Sequence, residues 1–300
     1  MQVSLHFKSI KIMKFKAIYF GLIALLAGVC ILLASFIPEQ NKTIYNSREI
    51  LNSTLKSIAN IKTLRYNLQC NERIKGKMQH TESQVKLQVS PRKIYLSLKG
   101  PEVLWIQGTN NGDALVNPAA FPYVNLNLNP MGSLMRNDQH HTIHEMGLQY
   151  LSDILVDGVK RAGDQVDKYF VVVGEEKFNN HNCYKLSVAF PDFAWGPYTV
   201  KKDENITSIA RRLFLSDYMI LEHNPQLSSY TDVKENQIIQ IPNAYAKLTL
   251  LLIDKELLLP LSNQVYDDKG LFETYEYYNL QLNPPIASEE FTKEYKDYKF

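Results

Sequence analysis

Between Pro197 and Pro242 the spacing of apolar residues changes period twice, and this fixes what the segment can become. Tyr198 and Val200 alternate with Thr199 and Lys201, as in a half-buried strand. Ile206, Ile209, Ala210 and Leu213 then recur at helical spacing behind Asn205, a residue suited to cap a helix N-terminus. Ser216 is placed to cap a second helix. That helix stops at Asn224-Pro225, because proline disfavours helix in the residue before it. The run 237–241, Gln-Ile-Ile-Gln-Ile, returns as strand. The unit reads strand, helix, helix, strand.

This pattern resembles a LysM module, a βααβ domain. The residues that carry the resemblance are Tyr198 to Lys202 in sequence, Ser208-Ile209-Ala210 and Asn224-Pro225. The resemblance implies binding of N-acetylglucosamine-containing glycans, chiefly peptidoglycan. The groove lies between the loop after the first strand and the loop after the second helix. Its implied glycan-binding residues here are Asp203, Glu204, Asn205, Ile206, Asn224 and Pro225. The family's first loop usually reads Gly-Asp-Thr, where this chain has Asp203-Glu204-Asn205. Losing the glycine removes a residue that takes positive φ freely, and two adjacent carboxylates make the rim more acidic. Asn205 still offers an amide to an acetamido group, with Ile206 beneath its methyl. The competing reading is a copy that keeps the fold as a spacer or protein contact.

Thirty-three basic residues against 31 acidic ones give no pull towards nucleic acid. Near the start, residues 17–37 are uncharged and mostly apolar, preceded by Lys8, Lys11, Lys14 and Lys16. Roughly 20 apolar residues span a bilayer core, and flanking lysines stay on the cytoplasmic side. The sequence therefore predicts export, with residues 1–16 as a basic cytoplasmic region and 17–37 as a membrane anchor or a cleaved signal. Met13 opens a stretch shaped like a secretory signal and is an alternative start. Cys30 has Val29 before it, where lipid modification requires a small residue. In the exported part, Cys70 and Cys183 are either a disulfide or two buried thiols.

A linker over 38–46 leads to a helix from about Ser47 to Asn60, with Asn46 and Glu49 as a capping box. Alternating strands follow. Leu64, Tyr66, Leu68 and Cys70 alternate with Arg65, Asn67 and Gln69, and Val85, Leu87 and Val89 with Gln84, Lys86 and Gln88. Shorter strands are expected at 94–98, 103–106 and 114–116. The Pro- and Asn-rich stretch 117–130 reads as a long ordered loop or edge segment. A helix over about 142–159 and strands at 168–174, 184–190, 247–254, 264–266 and 275–277 complete the set.

Residues 196–243 thus interrupt one antiparallel sheet built from 47–195 and 244–300. The flanking pieces resemble the LolA/LolB lipoprotein-carrier superfamily in Asp254-Lys255, Leu259-Pro260, the run Val265 to Gly270, Tyr275-Glu276-Tyr277 and the run Leu280 to Pro284. The run Asp113 to Pro118, with Gly132 to Arg136, resembles a branch of unknown function in that superfamily. The implied fold is α+β, a curved antiparallel half-barrel with helices on its concave face. In characterised relatives that cavity takes acyl chains. Leu64, Tyr66, Leu68, Val85 and Leu87 are the lipid-cavity candidates here, with plain core packing as the equal alternative.

No phosphate loop, paired-cysteine metal motif or nucleophile elbow is present. In His140-His141-Thr142-Ile143-His144-Glu145, the pairs His140/His144 and His141/Glu145 share helical faces, yet a metal site needs a third ligand. A helix start whose polar residues meet solvent or the preceding loop is the expectation. Asp203 and Glu204 are too close in sequence to flank a glycosidic bond reliably. The expected function is therefore a non-enzymatic, peptidoglycan-binding envelope protein without cofactor or metal. The alternative is a carrier of lipid or lipoprotein acyl chains.

Overall fold

A computed structural model describes residues 45–121 and 123–300. The anchor or signal at 17–37, Met13, Cys30 and the basic region lie outside the described residues. Among those described, no helix is long and apolar enough to cross a membrane.

Helix α1 (Ser47–Ala59) starts at Asn46, whose side chain accepts from the Glu49 N–H. It leads into β1 (Thr63–Ile74), β2 (Lys77–Gln88), β3 (Lys93–Leu98), β4 (Glu102–Ile106) and β5 (Ala114–Asn117). The edge strand β6 (Leu126–Leu128) emerges from the Pro- and Asn-rich stretch. Helices α2 (Ser133–Arg136), α3 (Gln149–Ala162) and α4 (Val166–Tyr169) follow, then β7 (Phe170–Phe178) and β8 (His181–Ala189). After the small unit come β11 (Leu248–Asp254), β12 (Pro260–Asp267) and β13 (Gly270–Leu282). The order β6-β5-β4-β3-β2-β1-β13-β12-β11-β8-β7 is antiparallel throughout, an open half-barrel-like sheet.

The interruption is direct. Ala189 on β8 pairs with Leu248 on β11, and Phe190 N–H donates to the Lys247 carbonyl, so the chain leaves and re-enters at one point. Between them, β9 (Trp195–Thr199) pairs with β10 (Ile238–Pro242) around α5 (Ile206–Leu213) and α6 (Asp217–His223). Asn205 and Ser216 cap these helices through the N–H groups of Ser208 and Met219.

One expectation fails at 142–148. A single turn of 3-10 helix covers Ile143–Glu145, and the α-helix begins only at Gln149. Gly147 at φ +89 breaks the path, a value that a side chain rarely tolerates. The expected strand start at Lys168 is instead the short helix α4, with β7 beginning at Phe170.

Leu64, Tyr66, Leu68, Val85 and Leu87 fall in one buried cluster with Ile58, Trp105 and Leu148. A second cluster joins Leu51 of α1 and Leu155 of α3 to Phe170, Leu186 and Leu251. Cys70 and Cys183 are free thiols in different clusters, so the disulfide alternative falls.

Candidate functional site

The βααβ unit places its six expected glycan residues in two loops, and their environments differ. Asp203 is exposed at φ +60, the left-handed conformation a glycine would take without cost. Glu204 is turned back. Its carboxylate accepts from the Tyr198 hydroxyl at 2.7 Å, the Lys201 N–H at 2.9 Å and Arg212 at 2.6 Å. Burial alone would raise that carboxyl; these donors hold it below its ordinary value. Only Asp203 therefore remains as a free acid on the rim, beside the exposed Lys201 and Lys202.

Asn205 is half-buried. Its side-chain oxygen accepts from the Ser208 N–H, while its amide nitrogen makes no hydrogen bond to a described residue. Ile206 is fully buried, so it does not offer the expected apolar surface to a sugar methyl. Its N–H donates to the Tyr230 carbonyl, which pins the two loops together. Asn224 is also buried. It donates to the Ile220 and Gln240 carbonyls and accepts from the Gln240 N–H, clipping α6 to β10. Pro225 is exposed on the second loop.

A second site lies in the body, between α3 and the sheet. The cleft of about 90 Å³ is lined by Leu68, Tyr150, Ile154, Leu155, Phe170 and Phe190, among others. Of the five lipid-cavity candidates only Leu68 reaches it; Leu64, Tyr66, Val85 and Leu87 are packed core. The volume is well under the roughly 300–1,000 Å³ of ordinary ligand pockets. Asn263 also lines it, with a buried side-chain oxygen that has no partner among the described residues.

At the base of this cleft the histidines are far from solvated. His140 is buried with Nδ1 2.7 Å from Glu273 Oε2 and Nε2 3.0 Å from the Arg73 carbonyl. His141 sits 3.5 Å from the same Glu273 oxygen and 3.4 Å from Glu145. Burial pulls the His141 imidazole down, but Glu273 and Glu145 hold it well above its ordinary value. Tyr245 donates to Glu273, and Tyr275 to Glu72. His144 lies apart, edge-on to Trp105. The sequence pairs His140/His144 and His141/Glu145 thus separate: only the second forms, without a continuous helix.

The family comparisons divide the chain along these lines. Residues 198–242 match the LysM domain model, and residues 61–202 match a family of unknown function, DUF1571. The chain carries a LysM domain that begins where its DUF1571 match ends. Residues beyond 242, with β11 to β13, lie outside both matches. No curated protein matches the chain.

Among solved structures the chain is similar to a LolA superfamily protein from Nitrosomonas europaea, at 9% identity and a TM-score of 0.31. That match covers 83% of this chain and 98% of the other. It is similar to the Mycobacterium tuberculosis lipoprotein LppX at 10% identity and 0.39, covering 80% and 97%. It is similar to the Pseudomonas aeruginosa MucA/MucB complex structure at 12% identity and 0.37. There it covers 83% of this chain and spans about three fifths (61%) of the other.

The sequence did not show how closely the LysM domain is held to the body. Arg136 donates to Thr207 and Asp217 at 2.8 Å each and lies 3.4 Å over the Tyr230 ring. Arg73 binds Glu222 of α6 and Asp267 of β12, and Arg211 of α5 reaches Glu145. Met219 packs with Tyr245, Val265 and Phe272, while His140 stacks between Tyr218 and Phe272. A legible signal existed for part of this. Glu72 continues the inward parity of Leu64, Tyr66, Leu68 and Cys70, a charge on the dry face of β1.

Proposed function

We propose that the protein is a non-enzymatic envelope protein that holds N-acetylglucosamine-containing peptidoglycan through its LysM domain. The observation that carries this reading is the first loop. Asp203 adopts the glycine-like φ of +60, Glu204 is withdrawn, and the Asn205 amide nitrogen stays free for an acetamido carbonyl. The apolar stretch at 17–37, read as an anchor or signal, supports an exported location facing the wall.

The test is co-sedimentation of the full chain, solubilised in mild detergent, with purified peptidoglycan sacculi. Asn205→Asp is the matched variant, because aspartate caps the helix equally well and removes the amide donor. Pelleting by the native chain and loss by the variant are expected. Native protein left in the supernatant overturns the reading.

A second reading, a carrier of acyl chains, rests on the apolar lining of the cleft beside α3. The cleft must widen several-fold to admit a chain. Fatty acid or phospholipid co-purifying at one equivalent supports this reading; its absence after delipidation and re-addition removes it.

A further inference from the structure

We propose that Glu72, His140 and Glu273 bind a divalent first-row transition-metal ion beneath the LysM domain. One ligand atom from each of the first three lies within 4.8 Å of the others, and all three residues are buried. They come from β1, the segment before the 3-10 turn, and β13. His141 flanks the group, 3.5 Å from the shared Glu273 oxygen and 3.4 Å from Glu145.

The orientation of His140 points to a cation. Its Nε2 is committed to the Arg73 carbonyl, so it carries the hydrogen. The Nδ1 lone pair would then face a carboxylate oxygen 2.7 Å away, which is repulsive unless a positive charge lies between them. Either a second proton or a metal ion supplies that charge. The surroundings match those of a metal centre, where ligands are fixed by outer hydrogen bonds. The Tyr275 hydroxyl holds one Glu72 oxygen, the Tyr245 hydroxyl holds Glu273 Oε1 at 2.9 Å, and the carbonyl holds His140. The second Glu72 oxygen accepts from the His140 backbone N–H at 3.2 Å, and its remaining lone pair is the one available to an ion.

Bonds of about 2.0–2.2 Å need donors roughly 3–3.5 Å apart, so His140 and Glu273 must separate by about half an ångström on binding. Imidazole with carboxylate suits Zn²⁺, Mn²⁺ or Fe²⁺, rather than the all-oxygen Ca²⁺ shell. Because His140 stacks on Tyr218 of α6, the ion would also fasten the LysM domain to the sheet.

The test strips the full chain with chelator, then titrates Zn²⁺ and Mn²⁺ separately, reading stoichiometry by elemental analysis and affinity by calorimetry. One equivalent per chain is expected. Glu72→Gln should lose affinity at least tenfold. Tyr245→Phe, which keeps the ring and removes only the outer hydroxyl, should lose roughly 10–100-fold. Less than a tenth of an equivalent of either metal overturns the proposal. Undiminished binding by both variants overturns it too, since the metal would then sit elsewhere.

Discussion

Arg136 of the DUF1571 body and Asp217 of the LysM domain are paired at 2.8 Å with side chains only 3% and 11% exposed. The same guanidinium caps the Tyr230 ring and binds Thr207. A surface pair contributes little, but removing one partner of a buried pair strands the other charge. Arg136→Ala should therefore destabilise the chain by about 3–5 kcal/mol. Asp217→Asn should cost far less. Asparagine keeps a side-chain oxygen to accept from Arg136 and Thr207, whereas alanine at 136 leaves the buried carboxylate without its cation. Urea denaturation of both variants measures the asymmetry.

Docking of this kind makes the LysM domain part of the body's core. Replacing residues 196–243 with a short Gly-Ser bridge would uncover Tyr245, Val265 and Phe272, which now pack on Met219. The expected result is a lower melting temperature with dye binding to exposed apolar surface, rather than a body of unchanged stability. Differential scanning fluorimetry decides it.

The first loop carries a conformational cost. At Asp203, φ +60 is open to aspartate but easier for glycine. Asp203→Gly should stay within about 1 kcal/mol of the native stability, because the gain in the fold is offset by extra freedom when unfolded. It should also pellet with sacculi at lower glycan concentration, since the backbone becomes approachable. Thermal unfolding and a sacculus titration check the two halves separately.

Glu290 ties the C-terminal segment to the sheet through Arg65 at 2.6 Å and Lys86 at 2.8 Å. Burial raises its carboxyl, but these cations and the Ala287 N–H bring it down to about 2, from an ordinary 4.5. A depressed carboxyl stabilises the fold fully above the unfolded value, and the contribution is lost as pH falls through the folded one. Roughly 2 kcal/mol should disappear between pH 4.5 and 2, after discounting for the partly exposed cations. In Glu290→Gln this part of the pH slope should be absent in chemical denaturation curves.

Cys70 and Cys183 should be unreactive in the native state. Burial raises both thiols, Cys183 to about 11 with help from Asp254, and Cys70 further with help from Glu72. In a Cys30→Ser background, Ellman's reagent should titrate no thiol in buffer and two in denaturant.

Local order determined much of this protein. The period change between Pro197 and Pro242, with caps at Asn205 and Ser216, was enough to specify the LysM domain, since each helix needs only its neighbours in sequence. The alternation at Leu64 to Cys70 gave β1 its buried face, and the pairing of β8 with β11 follows from the interrupted strand pattern. The tertiary structure decided which charges meet. Glu72, His140 and Glu273 converge across 201 positions of chain only because β1 and β13 are neighbours in the sheet. Gly147 ended the helical face on which the histidine spacing was read. Ile206 and Asn224 changed from groove candidates to core, because burial is set by what packs above a residue, and periodicity within one segment does not record that.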